Sequence, residues 1–144
     1  MLWTQDEFIT MIGAMNFFVL WKNLEGDVEL VTPPLDGTVL PGVYRDSVLQ
    51  IAREIKDFKV SEKPVSVQDL VVALKEKRVK EVFGTGTANG IMALGSLHAH
   101  GDDFAIPFNE DMQRGELAAE MGNQLRDICT GKKSPHEWVV SIDS

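Results

Sequence analysis

The order of apolar and polar positions along the chain predicts a protein that mixes strands and helices. Residues 15–23 (MNFFVLWKN) and 27–34 (DVELVTPP) are rich in aromatic and β-branched side chains, which is typical of strands. Between them lie Glu25, Gly26 and Asp27, a combination that favours a tight turn. We therefore predict a β-hairpin in this part of the chain.

Three segments have the 3.6-residue spacing of helices with one buried face. They are residues 43–57, residues 67–79 and residues 115–130. Ser66 precedes the second segment and Asp69 follows three residues later, which predicts that the two cap its first turn. The predicted apolar faces consist of Val48, Ile51, Ala52 and Ile55; of Val67, Leu70, Val71 and Leu74; and of Leu117, Met121, Leu125 and Ile128.

The remaining segments read as strands. Residues 58–66 alternate as a short strand does, residues 79–108 read as three strands separated by glycine-rich turns, and residues 136–142 read as a last strand. The chain has no internal repeat, no low-complexity tract and no linker. We therefore expect residues 1–144 to form one domain of the α/β (α+β) class.

Charge, cysteine count and hydropathy exclude several classes of function. The net charge of −8 argues against binding to nucleic acid, because contact with several phosphates needs clustered Lys and Arg. The single cysteine, Cys129, has no partner for an internal disulfide, so a reducing compartment fits. No apolar run is long enough for a membrane insertion, and the N-terminus has no basic region typical of a targeting peptide. We expect a cytoplasmic or mitochondrial protein that is not secreted.

Two loops carry candidate chemistry. Residues 35–46 (LDGTVLPGVYRD) pass from a turn into a helix, where the N–H groups of Val43 and Tyr44 lack partners inside the helix and favour an anion. Residues 83–90 (FGTGTANG) place glycines and threonines after a strand, where backbone N–H groups and hydroxyls are available as donors. Each loop alone is a weak signal, and a plain change of chain direction is the favoured interpretation because most such loops only reverse the chain.

A histidine and aspartate cluster needs a separate interpretation. His98, His100, Asp102 and Asp103 are metal-ligand residue types, but they lie in a polar stretch between two short predicted strands. Spacing alone does not define the coordination geometry that a metal requires. We interpret the cluster as a hairpin turn and predict no metal site.

Four blocks, in order along the chain, resemble the branched-chain amino acid aminotransferases. The blocks are GAMNFFV (13–19), LVTPPLDGTVLPGVYRDS (30–47), VKEVFGTGTA (79–88) and HEW (136–138). Members of that family are pyridoxal-phosphate (PLP) enzymes of fold type IV that transfer the amino group of Leu, Ile or Val to 2-oxoglutarate. The resemblance implies that this chain is the family's C-terminal large domain, with a barrel-like mixed sheet and flanking helices, and that the small N-terminal domain is absent.

The same resemblance assigns roles to both loops. It implies that the cofactor phosphate is held by the N–H groups of Val43 and Tyr44 and by Thr87. It also implies that the Thr87 and Ala88 amides receive the substrate carboxylate. A dianion at a helix N-terminus with a nearby hydroxyl donor is consistent with this assignment.

The chain also departs from the family at positions that carry catalysis. The family lysine that forms the Schiff base lies upstream of the matched blocks, and the first lysine here is Lys22, which we interpret as a solvated charge at a strand end. Met11 stands where the family has the glutamate that pairs with the pyridine nitrogen, and Ala14 replaces a threonine near the ring. Asn89 and Met92 occupy the CxxC positions of mammalian members, so no thiol switch is expected.

These departures predict a chain that is catalytically inactive by itself, with no catalytic residue and with PLP bound noncovalently or absent. We expect a pseudoenzyme or an accessory subunit of a larger assembly, since a plain truncation would have kept the family residues at Met11 and Ala14. A fragment and a split half of an active aminotransferase are the alternatives. The apolar stretches 1–3 and 8–15 are expected to be covered by protein partners, either a second copy or unlike subunits.

Overall fold

A computed structural model describes residues 2–37, 39, 41–55, 58–86, 90–99, 101–106 and 116–129. Over these residues the chain forms strands and helices in a mixed order. The strands are β1 (Leu2–Gln5), β2 (Phe8–Ile12), β3 (Met15–Lys22), β4 (Val28–Thr32), β5 (Lys59–Glu62), β6 (Val79–Gly86), β7 (Gly90–Ala93), β8 (Ser96–Ala99) and β9 (Asp102–Ala105). The helices are α1 (Val43–Ile55), α2 (Val67–Lys75) and α3 (Glu116–Cys129).

Strand β3 is the centre of a seven-stranded mixed sheet. It pairs antiparallel with β2 and β4 and with β6, while β5 lies parallel to β4 after the crossover through α1. Strands β1 and β7 extend the sheet beside β2 and β6, and β8 pairs with β9 in a separate hairpin. The predicted mixed sheet with flanking helices is confirmed. The expected barrel-like closure is not found, because over the described residues the sheet stays open.

Both faces of β3 are buried, which explains its nearly continuous apolar sequence. Phe17 and Val19 face one core together with α2, while Phe18 faces the other core together with α1 and α3. The ring of Phe18 stacks on that of Phe83 in β6, with 5.1 Å between the ring centroids. The strand that holds the sheet together thus also separates its two cores.

The starts of two helices are fixed by side chains. The Ser66 hydroxyl accepts a hydrogen bond from the Asp69 N–H at 2.9 Å, and the Asp69 carboxylate accepts one from the Ser66 N–H, so the predicted capping box is confirmed. At α3 the cap comes from the sheet, where the buried Glu81 carboxylate accepts hydrogen bonds from Leu117 N (2.6 Å) and Ala118 N (3.1 Å). The sequence alone did not predict this second cap.

Several predicted elements need correction. Helix α2 ends at Lys75 and not at residue 79, because Lys77 has a φ of 57° and β6 begins at Val79. Residues 79–108 contain four strands and not three, since β8 and β9 form a hairpin of their own. The predicted strand at 136–142 lies outside the described residues.

The hairpin of β1 and β2 was missed altogether. Its turn uses Asp6 and Glu7, both at positive φ and without a glycine to signal the turn. Strand β2 places Ile9 and Ile12 in the core, so the apolar stretch 8–15 is only partly available to other molecules. Among the described helices, none is long and apolar enough to cross a membrane.

Candidate functional site

The pairing of the strands arranges four residues in one row across the sheet. Met11 in β2 is the partner of Asn16 in β3, Asn16 is the partner of Thr85 in β6, and Thr85 is the partner of Ile91 in β7. Directly paired residues project to the same face of a sheet. This row, which we call the Asn16 row, lies on the face that also carries α1 and α3.

Helix α1 begins directly over the Asn16 row. A Cβ atom built on Gly42 would lie 2.4 Å from the Asn16 Oδ1 atom, so the turn before the helix is in contact with the row. The Asp46 N–H donates to the Gly42 carbonyl, which makes Gly42 the residue that caps the helix. Val43 follows it and is 72% exposed, so the first N–H groups of α1 lie at an open position.

Two buried polar atoms, one in the Asn16 row and one in the first turn of α1, have unused hydrogen-bonding capacity. Thr85 is fully buried, and its Oγ1 atom has no partner among the described residues. Arg45, in the first turn of α1, is 1% exposed, and its Nε atom likewise has no partner in the described part of the chain. Buried polar atoms without partners are rare and call for an explanation, such as a bound ligand or water.

Asn16 itself is only 2% exposed, and its amide Nδ2 contacts the Met11 Sδ atom at 3.9 Å. Met11 therefore contacts Asn16 within the row, in the position where the family resemblance implies a carboxylate. Ala14, where the resemblance implies a threonine, is exposed in the turn between β2 and β3 next to Gly13, which has a φ of 54°. Sequence reasoning noted Met11 and Ala14 but gave no role to Asn16.

Two glycines of the FGTGTANG loop serve packing inside the protein. Cβ atoms at Gly84 and Gly86 would lie 3.0 Å and 3.2 Å from atoms of the Met15 side chain. These glycines face Met15 on the side of the sheet opposite to Thr85, since neighbouring residues of a strand alternate in direction. Thr87 and Ala88, the predicted phosphate and carboxylate residues, lie outside the described residues.

Arg45 connects the start of α1 to the ends of β4 and β5. Its Nη2 atom donates to the Glu62 carboxylate at 2.6 Å and to the Pro33 carbonyl at 3.0 Å. Arg53, in the last turn of α1, donates to the other oxygen of Glu62 at 3.2 Å. The hydrogen bond from Arg45 holds the pKa of Glu62 below its usual 4.5, against the opposing effect of partial burial. A buried cation thus belongs to the same helical turn as the first N–H groups of α1.

The buried carboxylate of Glu29 in β4 lies on the opposite face of the sheet. It accepts hydrogen bonds from Lys63, Ser61 and the Trp21 indole at 2.9, 2.7 and 3.2 Å. Burial raises the pKa of Glu29, but these three donors together outweigh that effect and hold the pKa below its usual 4.5. All of its observed contacts are structural, and it lies away from the Asn16 row.

The described lysines lie away from the Asn16 row. Lys22 is at the far end of β3, where its backbone N–H donates to the Arg78 carbonyl, as expected for a strand-end residue. Lys59 pairs with Asp27 at 2.8 Å, and Lys63 pairs with Glu29. Within the described ranges, no ion pair joins a lysine to the start of α1.

Three members of the histidine cluster, His98, Asp102 and Asp103, lie in the predicted polar hairpin, and His100 lies outside the described residues. Strands β8 and β9 place His98 opposite Asp103, and the His98 Nδ1 atom lies 2.6 Å from the Asp103 carboxylate. Both side chains are exposed. Within the described residues no three metal-ligating side chains converge.

The amino-acid sequence is similar to a known protein family and to several of its characterised members. Residues 1–97 match the family described as amino-transferase class IV. The chain is 42% identical to a branched-chain-amino-acid aminotransferase of Monosiga brevicollis over 98% of this chain and 36% of the relative. It is 39% identical to a mitochondrial one of Bos taurus and 40% identical to a cytosolic one of Rattus norvegicus, each over 98% of this chain and 35% and 34% of the relative.

A solved structure shows the same fold. The Escherichia coli branched-chain amino acid aminotransferase superposes with a TM-score of 0.69 at 23% identity, over 92% of this chain and 38% of that one. The chain therefore spans about a third of the length of the curated relatives that it matches.

Proposed function

Because the chain belongs to the class IV aminotransferase family, we propose that it is the cofactor-phosphate-binding part of a branched-chain-aminotransferase-like protein. In this proposal it holds PLP noncovalently and does not transaminate by itself. The single observation that carries the proposal is the close approach of the start of α1 to the Asn16 row. A Cβ atom added to Gly42 would lie only 2.4 Å from the Asn16 Oδ1 atom.

The residues present fit the phosphate of the cofactor. The N–H groups of Val43 and Tyr44 have no acceptor within α1, and the helix dipole favours an anion there. The buried Thr85 hydroxyl, without a partner among the described residues, supplies an unused donor on the same face of the sheet. In the proposal Thr87 adds a second hydroxyl, and the Thr87 and Ala88 amides take the substrate carboxylate.

The residues present are less suited to the pyridine ring of PLP than to its phosphate. PLP, when bound, supplies an electron-withdrawing ring that stabilises negative charge on an amino acid substrate. A carboxylate beside the ring nitrogen strengthens this effect, and the thioether of Met11 carries no charge with which to do so. The described lysines lie away from the start of α1, so none is placed to hold the cofactor covalently.

We propose that the module works within an assembly, as a pseudoenzyme or accessory subunit associated with a second copy or with unlike chains. The alternative is that the chain is one part of an active branched-chain aminotransferase that transfers amino groups of Leu, Ile or Val to 2-oxoglutarate. Its similarity to about a third of each relative favours that alternative.

One experiment separates these proposals. The purified chain is titrated with PLP, treated with borohydride and analysed by mass spectrometry, and its activity with leucine and 2-oxoglutarate is measured. We expect saturable binding, no cofactor fixed to one lysine, and no transamination. A single modified lysine together with turnover by the chain alone would overturn the inactive module.

The same preparation tests association. Light scattering after size exclusion is expected to give a mass above 16.0 kDa, the mass of one chain. A copurifying chain that contains the remaining family regions and restores turnover would support the split enzyme. A monomer at every concentration would contradict the proposed association.

A further inference from the structure

The first turn of α1, which forms the phosphate site proposed above, also contains the buried member of an ion pair. Arg45 is only 1% exposed, and it lies in the same helical turn as Val43 and Tyr44. Its charge is partly compensated by Glu62, whose carboxylate lies 2.6 Å from the Arg45 Nη2 atom. The Arg45 Nε atom is buried without a partner among the described residues, so the guanidinium is not saturated by the contacts seen.

We propose that Arg45 is a positioning residue that supplies positive charge to the phosphate site and that Glu62 limits that charge. This inference rests on the proposed function, because it needs an anion at the start of α1. An anion there interacts favourably with the guanidinium and unfavourably with the Glu62 carboxylate. The affinity for a phosphate ester is therefore expected to reflect two opposing charges, the buried guanidinium of Arg45 and the more exposed carboxylate of Glu62.

The pair also stabilises the fold, so that loss of the Glu62 charge, which favours anion binding, is unfavourable for stability. Arg45 ties the first turn of α1 to the Pro33 carbonyl and to Glu62, which stabilises the position of the helix over the sheet. Removing the charge of Glu62 leaves a buried guanidinium without its main counterion, which destabilises a protein. The same change removes the carboxylate that repels the bound anion. Stability and anion affinity are thus expected to move in opposite directions.

Glu62→Gln tests the proposal because it preserves the shape of the side chain and removes one negative charge. We expect it to lower the midpoint of urea unfolding and to raise the affinity for pyridoxamine 5′-phosphate about threefold, the size of one partly screened unit charge. Pyridoxamine 5′-phosphate is the probe because it has no aldehyde to react with surface lysines. A purely structural role of the pair would lower both quantities.

Glu54→Gln is the matched control. Glu54 is an exposed residue of α1 near the end of the helix away from Val43, so its removal changes the net charge equally. We expect an affinity within about 1.5-fold of the unchanged chain, since exposed charges beyond a Debye length are screened. Arg45→Lys, which keeps the charge but not the paired geometry, is expected to retain binding better than Arg45→Met.

Calorimetric titration of these variants decides between the outcomes. Tighter binding by Glu62→Gln and not by Glu54→Gln supports the proposal. If the unchanged chain binds the probe and Glu62→Gln binds it equally well or more weakly, the role given to Glu62 is overturned. The proposed function stands in that case. Absence of binding in every variant overturns the proposed function and this inference with it.

Discussion

The contact between Gly42 and Asn16 can be tested by adding one methyl group. Gly42 does not have a φ in the left-handed region, so Gly42→Ala is compatible with the backbone and its effect comes from contact alone. The new Cβ would lie 2.4 Å from the Asn16 Oδ1 atom, about 1 Å closer than an ordinary contact. Asn16 is 2% exposed and has little room to move.

The expected magnitude follows from these distances. Overpacking of a filled site costs about 1–3 kcal/mol, and replacement of glycine by alanine recovers about 0.4–1 kcal/mol through the unfolded chain. We therefore expect Gly42→Ala to lower the free energy of unfolding by about 1–2 kcal/mol. The shift of α1 away from the Asn16 row is also expected to weaken binding of pyridoxamine 5′-phosphate.

A double-mutant cycle with Asn16→Ala isolates the contact. Asn16→Ala removes the Oδ1 atom that the new methyl group meets, so Gly42→Ala is expected to be at least about 1 kcal/mol less harmful in that background. Urea unfolding followed by tryptophan fluorescence measures all four proteins of the cycle. Additive effects, or a Gly42→Ala protein as stable as the unchanged chain, would refute the close approach of α1 to Asn16.

Three further predictions concern stability. Ser66→Ala removes the α2 cap and is expected to lower the free energy of unfolding by about 1 kcal/mol, whereas no change would contradict the capping box. Glu81→Ala leaves the first N–H groups of α3 buried without an acceptor and is expected to cost about 1–3 kcal/mol in urea unfolding, with Glu81→Gln costing less. Because the pKa of Glu29 in the folded protein lies below its usual 4.5, its contribution is present above that pH and is lost as the pH falls through the lowered pKa. The drop in unfolding free energy between about pH 5 and pH 3 should be smaller in Glu29→Gln, and equal drops would contradict the assignment.

Local patterns were sufficient to predict part of the fold. The hairpin of β3 and β4 was predicted because its apolar strands flank Glu25, Gly26 and Asp27, and Gly26 has a φ of 90° in the turn. The capping box of α2 was predicted because both of its residues lie within one helical turn. These features depend only on neighbours in the sequence.

Other features depend on contacts between distant segments. The row that joins Met11, Asn16 and Thr85 arises from strand register, which a single sequence specifies only weakly. The pairing of Arg45 with Glu62 spans 17 residues, and neither residue has a pattern that would identify the other. Met11 was found from the resemblance, but its contact with Asn16 could be found only in the structure.

The central claim is that the start of α1 binds the phosphate of a pyridoxal derivative. The most direct measurement is a two-dimensional NMR titration of the ¹⁵N-labelled chain with pyridoxamine 5′-phosphate. We predict saturable shifts of the Val43 and Tyr44 amides, with the Lys59 amide unchanged as a distant reference. Unchanged Val43 and Tyr44 amides at ligand concentrations that shift other residues would contradict the claim.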